Sequence, residues 1–330
     1  MPSPSVVIVS PALAAANNGN WQTAARWASF LRPRYPVRIV DAWPDAGAAG
    51  DELMIALHAR RSATAIAAWV SVKPPGRIAL VLTGTDLYRD IRGDAGAQRS
   101  LDLAQSLVVL QELGLSALPA RHRSKSRAIY QSVTPRRALS KSGRTLRAVM
   151  VGHLREVKSP QTLFDAAGLL RARTDIEIHH IGRAEEPVWA ERARAAQAAC
   201  PNYRWLGALP HNETRDAIQR AHVLVHTSAM EGGAHVIMEA VCSGTPVIAS
   251  RVDGNVGMLG ADYGGYFPHG DAAALARLLE AARDTQAGDD PSAALLARLR
   301  AQCALRAPLF APETERAAVL QLVRELEESA

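Results

Sequence analysis

Residues 222–240 decide the fold class of this chain; they read His-Val-Leu-Val-His-Thr-Ser-Ala-Met-Glu-Gly-Gly-Ala-His-Val-Ile-Met-Glu-Ala. An apolar strand ends in hydroxyl side chains, a glutamate precedes two glycines, and a helical pattern then begins. On a helical wheel Val236, Ile237 and Ala240 face the core, while Glu239 lies on a flank inside the helix. A strand, a polar loop and a helix in this order are typical of an α/β domain that binds its ligand at the carboxyl end of a strand.

The two glutamates of this stretch occupy different places. Glu231 belongs to the loop and Glu239 to the helix, and their offset corresponds to about 12 Å at the rise of an α-helix. This separation suits two parts of one extended ligand, and it does not suit two carboxylates that face one scissile bond. A capped helix with a chance glutamate is the alternative interpretation.

Length and patterning predict two α/β domains. The chain has 330 residues, more than one hydrophobic core usually organises, and its short β-branched runs alternate with helical periodicity. We place the boundary in the polar segment 133–145, so that the domains span residues 1–140 and 141–311, while the final helix, at about 312–330, can pack back on the first domain. The predicted strands lie at 5–10, 37–40, 65–70, 78–82, 107–110 and 128–131 in the first domain, and at 146–151, 176–181, 223–226, 246–249 and around Tyr266 in the second.

The composition restricts the classes of binding partner and the cellular compartment that we expect for this protein. The net charge of +6 is spread over helices that also carry acidic residues, so a solvated surface or a small anionic substrate explains it, and no nucleic acid is expected. Cys200, Cys242 and Cys303 lack metal-ligand spacing, and their odd number does not suit a disulfide framework. The chain begins without a basic n-region or a membrane span, so we expect a cytoplasmic protein with no membrane partner. The oligomeric state stays open.

Two loops of the first domain offer places for an anion. Asn18, Gly19 and Asn20 precede a helix, whose N-terminal N–H groups favour negative charge. Residues 83–88, Thr-Gly-Thr-Asp-Leu-Tyr, follow an apolar strand and supply hydroxyls, a carboxylate and a glycine at its carboxyl end. A plain structural turn is the alternative for each, with Asp86 as a cap in the second.

Two loops of the second domain have a similar character. In segment 146–160 a strand leads to Gly152, where backbone can approach a ligand closely, and to Lys158 near a helix start, which suits a diphosphate. The glycines of segment 250–257 permit a turn with N–H groups directed into the crevice. Read alone, each segment is also compatible with an ordinary loop.

The stretch from Tyr203 to Asp271 resembles the C-terminal half of the group 1 glycosyltransferases, including their E-x7-E signature at Glu231 and Glu239. The resemblance implies the GT-B fold, in which two Rossmann-like domains face each other across a cleft. It also implies a UDP-sugar donor, whose ribose hydroxyls bind Glu239 and whose sugar binds Glu231 with the Gly232 and Gly233 amides. The first domain would then bind the acceptor and the second the nucleotide-sugar.

The segment around Gly152 is similar to the phosphate-binding element G-R-x(3)-K of that family, with Lys158 as the retained cation. His153 stands where the family usually has arginine, and a histidine is a weaker, pH-sensitive donor. The proline that usually follows E-G-x is also absent, since Ala234 and His235 stand near that place.

Three N-terminal stretches, at 18–27, 82–90 and 128–132, resemble the selenosugar synthases of selenoneine biosynthesis. This resemblance implies transfer of N-acetylglucosamine from its UDP form, UDP-GlcNAc, to selenophosphate, giving a selenosugar. Selenophosphate is small and multiply anionic, so its site requires a few converging cations and amides. The basic run Arg121–Arg127 is a further candidate for that site, although a solvated loop is the commoner meaning of such a run.

These interpretations define three sets of candidate residues. The catalytic set is Glu231, His153 and Lys158. The donor-binding set is Gly152, Thr227, Ser228, Met230, Gly232, Gly233, His235, Glu239, Gly254 and Asn255. The acceptor-binding set is Asn18, Gly19, Asn20, Thr23, Arg26, Gly84, Thr85 and Asp86. No metal ion or other cofactor is expected beside the substrates, because no carboxylate pair shows a metal-ligand pattern.

Other functions stay open at this point. One is a GT-B glycosyltransferase that acts on a hydroxyl of a lipid or polysaccharide, which would favour an amphipathic basic helix that the first domain lacks. Another is a noncatalytic nucleotide-sugar-binding protein, and a third is a nucleotide-sugar epimerase. Measured turnover separates the enzymes from the binding protein.

Overall fold

The chain folds into two α/β units. The computed structural model describes residues 3–14, 19–287 and 295–328. Contacts between Cα atoms assign Met1–Ser132 and Ala311–Ala330 to the first unit, and Val133–Phe310 to the second. Each unit is built on a parallel six-stranded sheet, so the predicted pair of Rossmann-like domains is confirmed.

The first unit contains a sheet whose central strands are continuous apolar runs. Its strands are β1 (Val6–Val9), β2 (Val37–Val40), β3 (Leu53–Leu57), β4 (Ile78–Leu82), β5 (Ser106–Val109) and β6 (Ser126–Ala128). They are arranged in the order β2-β1-β3-β4-β5-β6, and β1, β3, β4 and β5 are buried along their whole length. The strand order reverses between β1 and β3, so the loops after these strands begin at a topological switch point, where open α/β sheets bind ligands.

Six helices of the first unit are described. They are α1 (Gly19–Leu31), α2 (Ala63–Val72), α3 (Thr85–Tyr88), α4 (Ala95–Leu103), α5 (Gly114–Ala117) and α13 (Pro312–Glu328). The final helix, α13, packs against α1, and its apolar face joins the core formed with β1, β3 and β4. The buried carboxylate of Glu315 accepts hydrogen bonds from Trp27 Nε1 and Arg26 Nε, both at 2.7 Å, and from the backbone N–H of Ser132 at 2.7 Å. These bonds satisfy the buried charge and tie α13 to the first unit.

The second unit has a sheet of the order β12-β11-β10-β7-β8-β9. Its strands are β7 (Leu146–Val151), β8 (Ile176–Ile181), β9 (Tyr203–Gly207), β10 (Val223–His226), β11 (Val247–Ser250) and β12 (Tyr266–Phe267). Its described helices are α6 (Pro160–Leu169), α7 (Pro187–Ala199), α8 (His211–Arg220), α9 (His235–Val241), α10 (Asp253–Leu259), α11 (Ala272–Asp284) and α12 (Leu295–Arg306). Here the order reverses between β7 and β10, so the loops that follow these two strands begin side by side.

One predicted strand is wrong. Residues 65–70 belong to helix α2, which buries Ala65, Ile66 and Trp69 at helical spacing. The run is apolar throughout, and periodicity cannot separate a buried strand from a buried helix in such a run. The strand that does occupy this part of the sheet is β3, which the sequence analysis missed. The predicted strand at 128–131 begins too late, since β6 ends at Ala128.

The cysteines and the lengths of the helices bear on two further expectations from the sequence. All three cysteines are free thiols and are buried. Across residues 3–14, 19–287 and 295–328, no helix combines the length and the apolar character that a membrane crossing requires.

Candidate active site

The loop that follows β10 places the carboxylate of Glu231 between two basic side chains. Its Oε1 accepts a hydrogen bond from Lys158 Nζ at 2.5 Å and lies 3.2 Å from Nε2 of His226. Burial by itself raises the pKa of Glu231, but the charge of Lys158 and the hydrogen bond from His226 outweigh it and hold this pKa well below its usual range. Glu231 is therefore ionised at neutral pH and bound to the cation of Lys158.

Hydrogen bonds between the loops after β7 and β10 hold this pair in place. Thr227 Oγ1 donates to the carbonyl oxygen of Lys158 at 2.7 Å, and the Ala229 N–H donates to the carbonyl oxygen of Val157 at 2.9 Å. Because β7 and β10 are parallel neighbours, their carboxyl ends meet at one edge of the sheet. The strand order thus brings together Lys158 and Glu231, which are 73 residues apart in sequence.

The first turn of α10, which follows β11, contacts Glu231 through Gly254, so the turn expected at 250–257 is the start of a helix. A Cβ atom at position 254 would lie 2.0 Å from the carbonyl oxygen of Glu231 and 2.8 Å from its Cβ atom. Any side chain at this position would force the two segments apart. The predicted donor-binding residue Gly254 therefore supports the position of Glu231 through close backbone packing.

Glu239 lies inside α9 with its carboxylate directed toward α8. Its side chain is 7% exposed, and its Oε1 accepts a hydrogen bond from Nε2 of His211 at 2.8 Å. The same oxygen lies 3.9 Å from Nε of Arg215. The hydrogen bond to Glu239 raises the pKa of His211, since it stabilises the imidazolium. The two glutamates therefore have separate partners within the second unit.

His153 acts as a hydrogen-bond acceptor at the end of β7. Its Nδ1 accepts the backbone N–H of Arg183 at 3.3 Å. Desolvation, and after it the charge of Arg183, lower the pKa of His153, so the ring is neutral at pH 7. A neutral imidazole with Nδ1 as the acceptor carries its proton on Nε2, from which it can donate a hydrogen bond but offers no positive charge.

The carbonyl group of Gly152 is held by a buried histidine. Nε2 of His180 lies 3.3 Å from the Gly152 oxygen, and Nδ1 of the same ring lies 3.1 Å from the Tyr203 hydroxyl. Burial lowers the pKa of His180 to about 4, so this ring is neutral as well. It fixes the peptide between Gly152 and His153, at the position where the family resemblance expects a phosphate.

Three of the predicted donor-binding residues are buried and hydrogen-bonded within the protein, Thr227 and Asn255 through their side chains and Ser228 through its backbone carbonyl. Besides the Thr227 bond described above, the carbonyl oxygen of Ser228 accepts a hydrogen bond from Ser250 Oγ at 2.6 Å. Asn255 Nδ2 donates to the carbonyl oxygen of Ser250 at 2.9 Å. These bonds make a frame around the loop of Glu231. The remaining members of the set lie on that loop or at the start of α9: Met230, Gly232, Gly233 and His235.

In the first unit, the turn after β4 is organised by Asp86. Its fully buried carboxylate accepts the backbone N–H groups of Thr83 at 3.0 Å, Gly84 at 2.9 Å and Ala59 at 2.9 Å. Three N–H donors occupy both of its oxygens, so the carboxylate holds the turn between β4 and α3. The neighbouring Gly84 has a φ of 145°, a backbone conformation that favours glycine.

His58 is a residue near this turn that the sequence analysis missed. It follows β3, has a left-handed φ of 74° and is buried, with Nε2 3.3 Å from Thr85 Oγ1. Burial is the main cause that lowers the pKa of His58, although the charge of Asp86 opposes it. A buried polar residue in a strained conformation is a mark of a functional site. The signal was hidden because β3 itself was not recognised.

The residues predicted at the start of α1 have different surroundings. Asn18 lies outside the described residues, and Gly19 and Asn20 form the first turn of the helix. Thr23 Oγ1 donates to the carbonyl oxygen of Gly19 at 2.8 Å and accepts a hydrogen bond from Gln131. Arg26 is bound to the buried carboxylate of Glu315, so its charge already has a partner inside the unit.

The basic run Arg121–Arg127 is bonded to its own unit. Lys125 Nζ donates to three backbone carbonyl groups at the end of α4, including that of Ala104 at 2.6 Å. Arg123 donates to two further backbone carbonyl groups, and Arg127 forms an ion pair with Glu325. The run is therefore part of a 3-10 helix and of β6, and these contacts indicate a structural role in place of the solvated loop.

Comparison with known proteins defines the class. Residues 134–292 match the family described as Glycosyl transferases group 1. The chain is similar to a sucrose-phosphate synthase from Thermosynechococcus elongatus, with 16% identity, a TM-score of 0.78, and coverage of 99% of this chain and 100% of that one. It is similar to HepE from Anabaena in complex with UDP and glucose, with 14% identity, a TM-score of 0.72, and coverage of 97% and 99%. A TarM variant from S. aureus in complex with Fondaparinux, alpha-GlcNAc-glycerol and UDP is 14% identical, with a TM-score of 0.58 and coverage of 83% and 55%.

The matched stretch lies within the second unit and contains Lys158, Glu231 and Glu239. The second unit is therefore a group 1 glycosyltransferase domain, and the similar structures show the GT-B fold for the chain as a whole. The protein is a glycosyltransferase. No group of three or more His, Cys, Asp or Glu side chains suited to a metal ion occurs in the part of the chain that the structure describes.

Proposed function

We propose that this protein transfers N-acetylglucosamine from UDP-GlcNAc to selenophosphate and so forms a selenosugar. The observation that carries the proposal is the ion pair of Glu231 and Lys158 at the switch point of a group 1 glycosyltransferase domain. HepE binds UDP and glucose, and the TarM variant binds UDP and alpha-GlcNAc-glycerol, which supports a UDP-sugar as the donor. The acceptor is proposed from the N-terminal stretches that resemble selenosugar synthases.

The second unit binds the donor in this proposal. The ionised carboxylate of Glu231 and the amides of Gly232 and Gly233 accept and donate hydrogen bonds to the sugar hydroxyls. Lys158 contacts the diphosphate, for which a compact ammonium group is suited. Glu239 binds the ribose hydroxyls. His153, being neutral, contributes a hydrogen bond to a phosphate oxygen but no charge.

The reaction requires one bond to break and one to form. The bond between the anomeric carbon and the oxygen of the β-phosphate breaks, and its electron pair leaves with UDP. A lone pair on the ionised selenium of selenophosphate forms the new bond to the anomeric carbon. No proton has to be removed from this nucleophile, so positioning and stabilisation of the leaving charge are the main tasks of the protein.

The first unit supplies the acceptor site. Asp86 holds the turn of Gly84 and Thr85 through its three N–H contacts, and Thr85 presents its hydroxyl beside His58. The turn therefore offers rigid backbone and a hydroxyl to a small anion. Arg26 contributes to the fold of α1 through Glu315, and we assign it a supporting role at the site.

Incubation of the purified protein with selenophosphate and a panel of UDP-sugars tests the proposal, with mass spectrometry of the products. We expect a mass that joins selenium to N-acetylhexosamine, together with release of UDP. Consumption of a hydroxyl-bearing acceptor with selenophosphate untouched would replace the acceptor and keep the glycosyltransferase. Binding of UDP-sugars without turnover on any acceptor would indicate a nucleotide-sugar-binding protein.

A further inference from the structure

The contact between Glu239 and His211 joins a nearly buried carboxylate to an exposed imidazole. The Glu239 side chain is 7% exposed and the His211 side chain 66% exposed, and they meet at 2.8 Å. His211 is the first residue of α8 and is 28 positions away from Glu239 in sequence. An exposed side chain gains little free energy by exchanging water for a surface contact, so the ordered position of His211 requires a physical explanation.

The second basic neighbour of Glu239 supplies that reason. Arg215, one turn further along α8, has its Nε 3.9 Å from the same oxygen of Glu239. Within the described part of the chain, this buried Nε has no hydrogen-bond partner, although Nη2 of the same group donates to the carbonyl oxygen of Thr134 at 2.7 Å. A buried, unsatisfied guanidinium N–H attracts any carboxylate that can rotate toward it. Without His211, Glu239 can turn to Arg215 and form a closer ion pair.

The hydrogen bond from His211 also determines which oxygen of Glu239 stays available to a ligand. In residues 3–14, 19–287 and 295–328, the hydrogen bonds and ion pairs of this carboxylate are all made by Oε1. Oε2 therefore keeps its lone pairs for a ligand hydroxyl. A direct ion pair with Arg215 would engage the carboxylate with a stronger competitor than a hydroxyl group.

We propose that His211 is a positioning residue, which holds Glu239 away from Arg215 and thereby sets the preference of the donor site for a ribonucleotide over a 2′-deoxyribonucleotide. This inference rests on the proposed function, in which Glu239 binds the ribose of a UDP-sugar. The class of ligand that His211 selects is a nucleoside diphosphate with an intact ribose diol.

Calorimetric binding of UDP and of 2′-deoxy-UDP to the full-length protein tests the inference. The variants are His211→Leu, which removes the donor, and His211→Gln, which retains an N–H group. Asn212→Leu is the matched control, since Asn212 is the exposed neighbour at the start of the same helix. Glu239→Gln measures the preference for UDP over 2′-deoxy-UDP that remains when the carboxylate is absent.

We expect the unsubstituted protein to bind UDP about tenfold more tightly than 2′-deoxy-UDP, the worth of one hydrogen bond to a charged group. This ratio should fall to within about twofold of unity in His211→Leu, as in Glu239→Gln, and it should be largely kept in His211→Gln and Asn212→Leu. In His211→Leu the KM for the UDP-sugar should rise by a larger factor than kcat falls, because the loss concerns nucleotide binding and not the reacting atoms.

Two results separate the inference from the function on which it rests. If the unsubstituted protein binds UDP and the ratio is the same in His211→Leu, the positioning role is wrong and the proposed function stands. If the unsubstituted protein binds neither UDP nor any UDP-sugar, the proposed donor is wrong and the inference is lost with it.

Discussion

The surroundings of Glu231 and Glu239 differ in a way that their shared signature does not show. Both carboxylates are nearly buried, at 11% and 7% side-chain exposure, and both have a histidine Nε2 on Oε1. At Glu231 that histidine is buried, and a lysine completes the pair at 2.5 Å. At Glu239 the histidine is exposed and the nearby arginine remains at 3.9 Å.

We infer from this difference that the two glutamates have different roles. The contacts of Glu231 come from β10, from the segment after β7 and from the start of α10, so its position is rigid and its charge is compensated. The contacts of Glu239 come from one neighbouring helix and include the solvent-exposed side chain of His211, so its position is more adjustable. A rigid carboxylate suits the reacting sugar, whose alignment controls the rate, and an adjustable one suits the nucleotide, which only has to bind.

The largest expected effect is the loss of turnover when Glu231 is substituted. Glu231→Gln removes the charge and keeps the shape, and we expect kcat to fall roughly 100-fold, as when one aligned polar group is lost from an active site. Steady-state kinetics with a UDP-sugar measures this. Glu213→Gln, an exposed change in the same unit, serves as the control and should retain activity. Turnover of Glu231→Gln at the unsubstituted rate would contradict the role given to this residue.

Lys158→Met should destabilise the second unit by about 2–3 kcal/mol, because it leaves the carboxylate of Glu231 without its main counter-charge. Urea denaturation measures the loss. The double variant Lys158→Met with Glu231→Gln should recover most of that stability and none of the turnover. A double variant as unstable as Lys158→Met alone would show that the lysine acts through its packing and not through its charge.

Gly254→Ala should cost about 2 kcal/mol of stability and lower turnover, since the added Cβ would lie 2.0 Å from the Glu231 carbonyl oxygen. The control is Gly143→Ala, because a Cβ atom at position 143 meets nothing within 4 Å. Thermal denaturation and the affinity for UDP compare the two variants. If Gly254→Ala also loses most of its affinity for UDP, then the Glu231 and Glu239 ends of the site are coupled, and the inferred difference between their roles is wrong.

The smallest effect is a difference in pH dependence. The folded-state pKa of Glu231 lies below its ordinary value of 4.5, so its stabilisation is present above that pH and is lost as the pH falls below about 4.5. The folded-state pKa of His211 lies above 6.5, so its stabilisation is present below pH 6.5 and is lost as the pH rises through the raised value. Urea midpoints measured from pH 3 to 9 should show a shallower acid limb in Glu231→Gln and a shallower alkaline limb in His211→Leu than in the unsubstituted protein. The reverse assignment would contradict the comparison.

Much of the fold could be predicted, because strands buried in parallel sheets carry an apolar pattern of their own. The predicted strands at 37–40, 78–82, 146–151, 176–181 and 223–226 coincide with β2, β4, β7, β8 and β10. The prediction failed at 65–70, where an apolar helix has no polar face to reveal its period. The sequence placed Glu231 in a loop and Glu239 in a helix, and the structure agrees.

The partners of those two residues could not be predicted in the same way. Lys158, His226 and Glu231 meet because β7 and β10 are neighbours in the sheet, and strand order is a property of the whole unit. His211 faces Glu239 because α8 and α9 pack side by side. The contact of Gly254 with Glu231 is also between segments that a local pattern does not relate.

The amino-acid sequence by itself determined the α/β class, the two sheets, the polar loops at strand ends and the family signature, since each is written in local spacing and hydrophobic period. Only the tertiary structure decided that α13 returns to the first unit through Glu315, that Asp86 and Lys125 serve the fold, and which base faces which acid. The reason is physical: side chains far apart in the chain become partners only when burial and strand order bring them within hydrogen-bonding distance, and no local pattern encodes that distance.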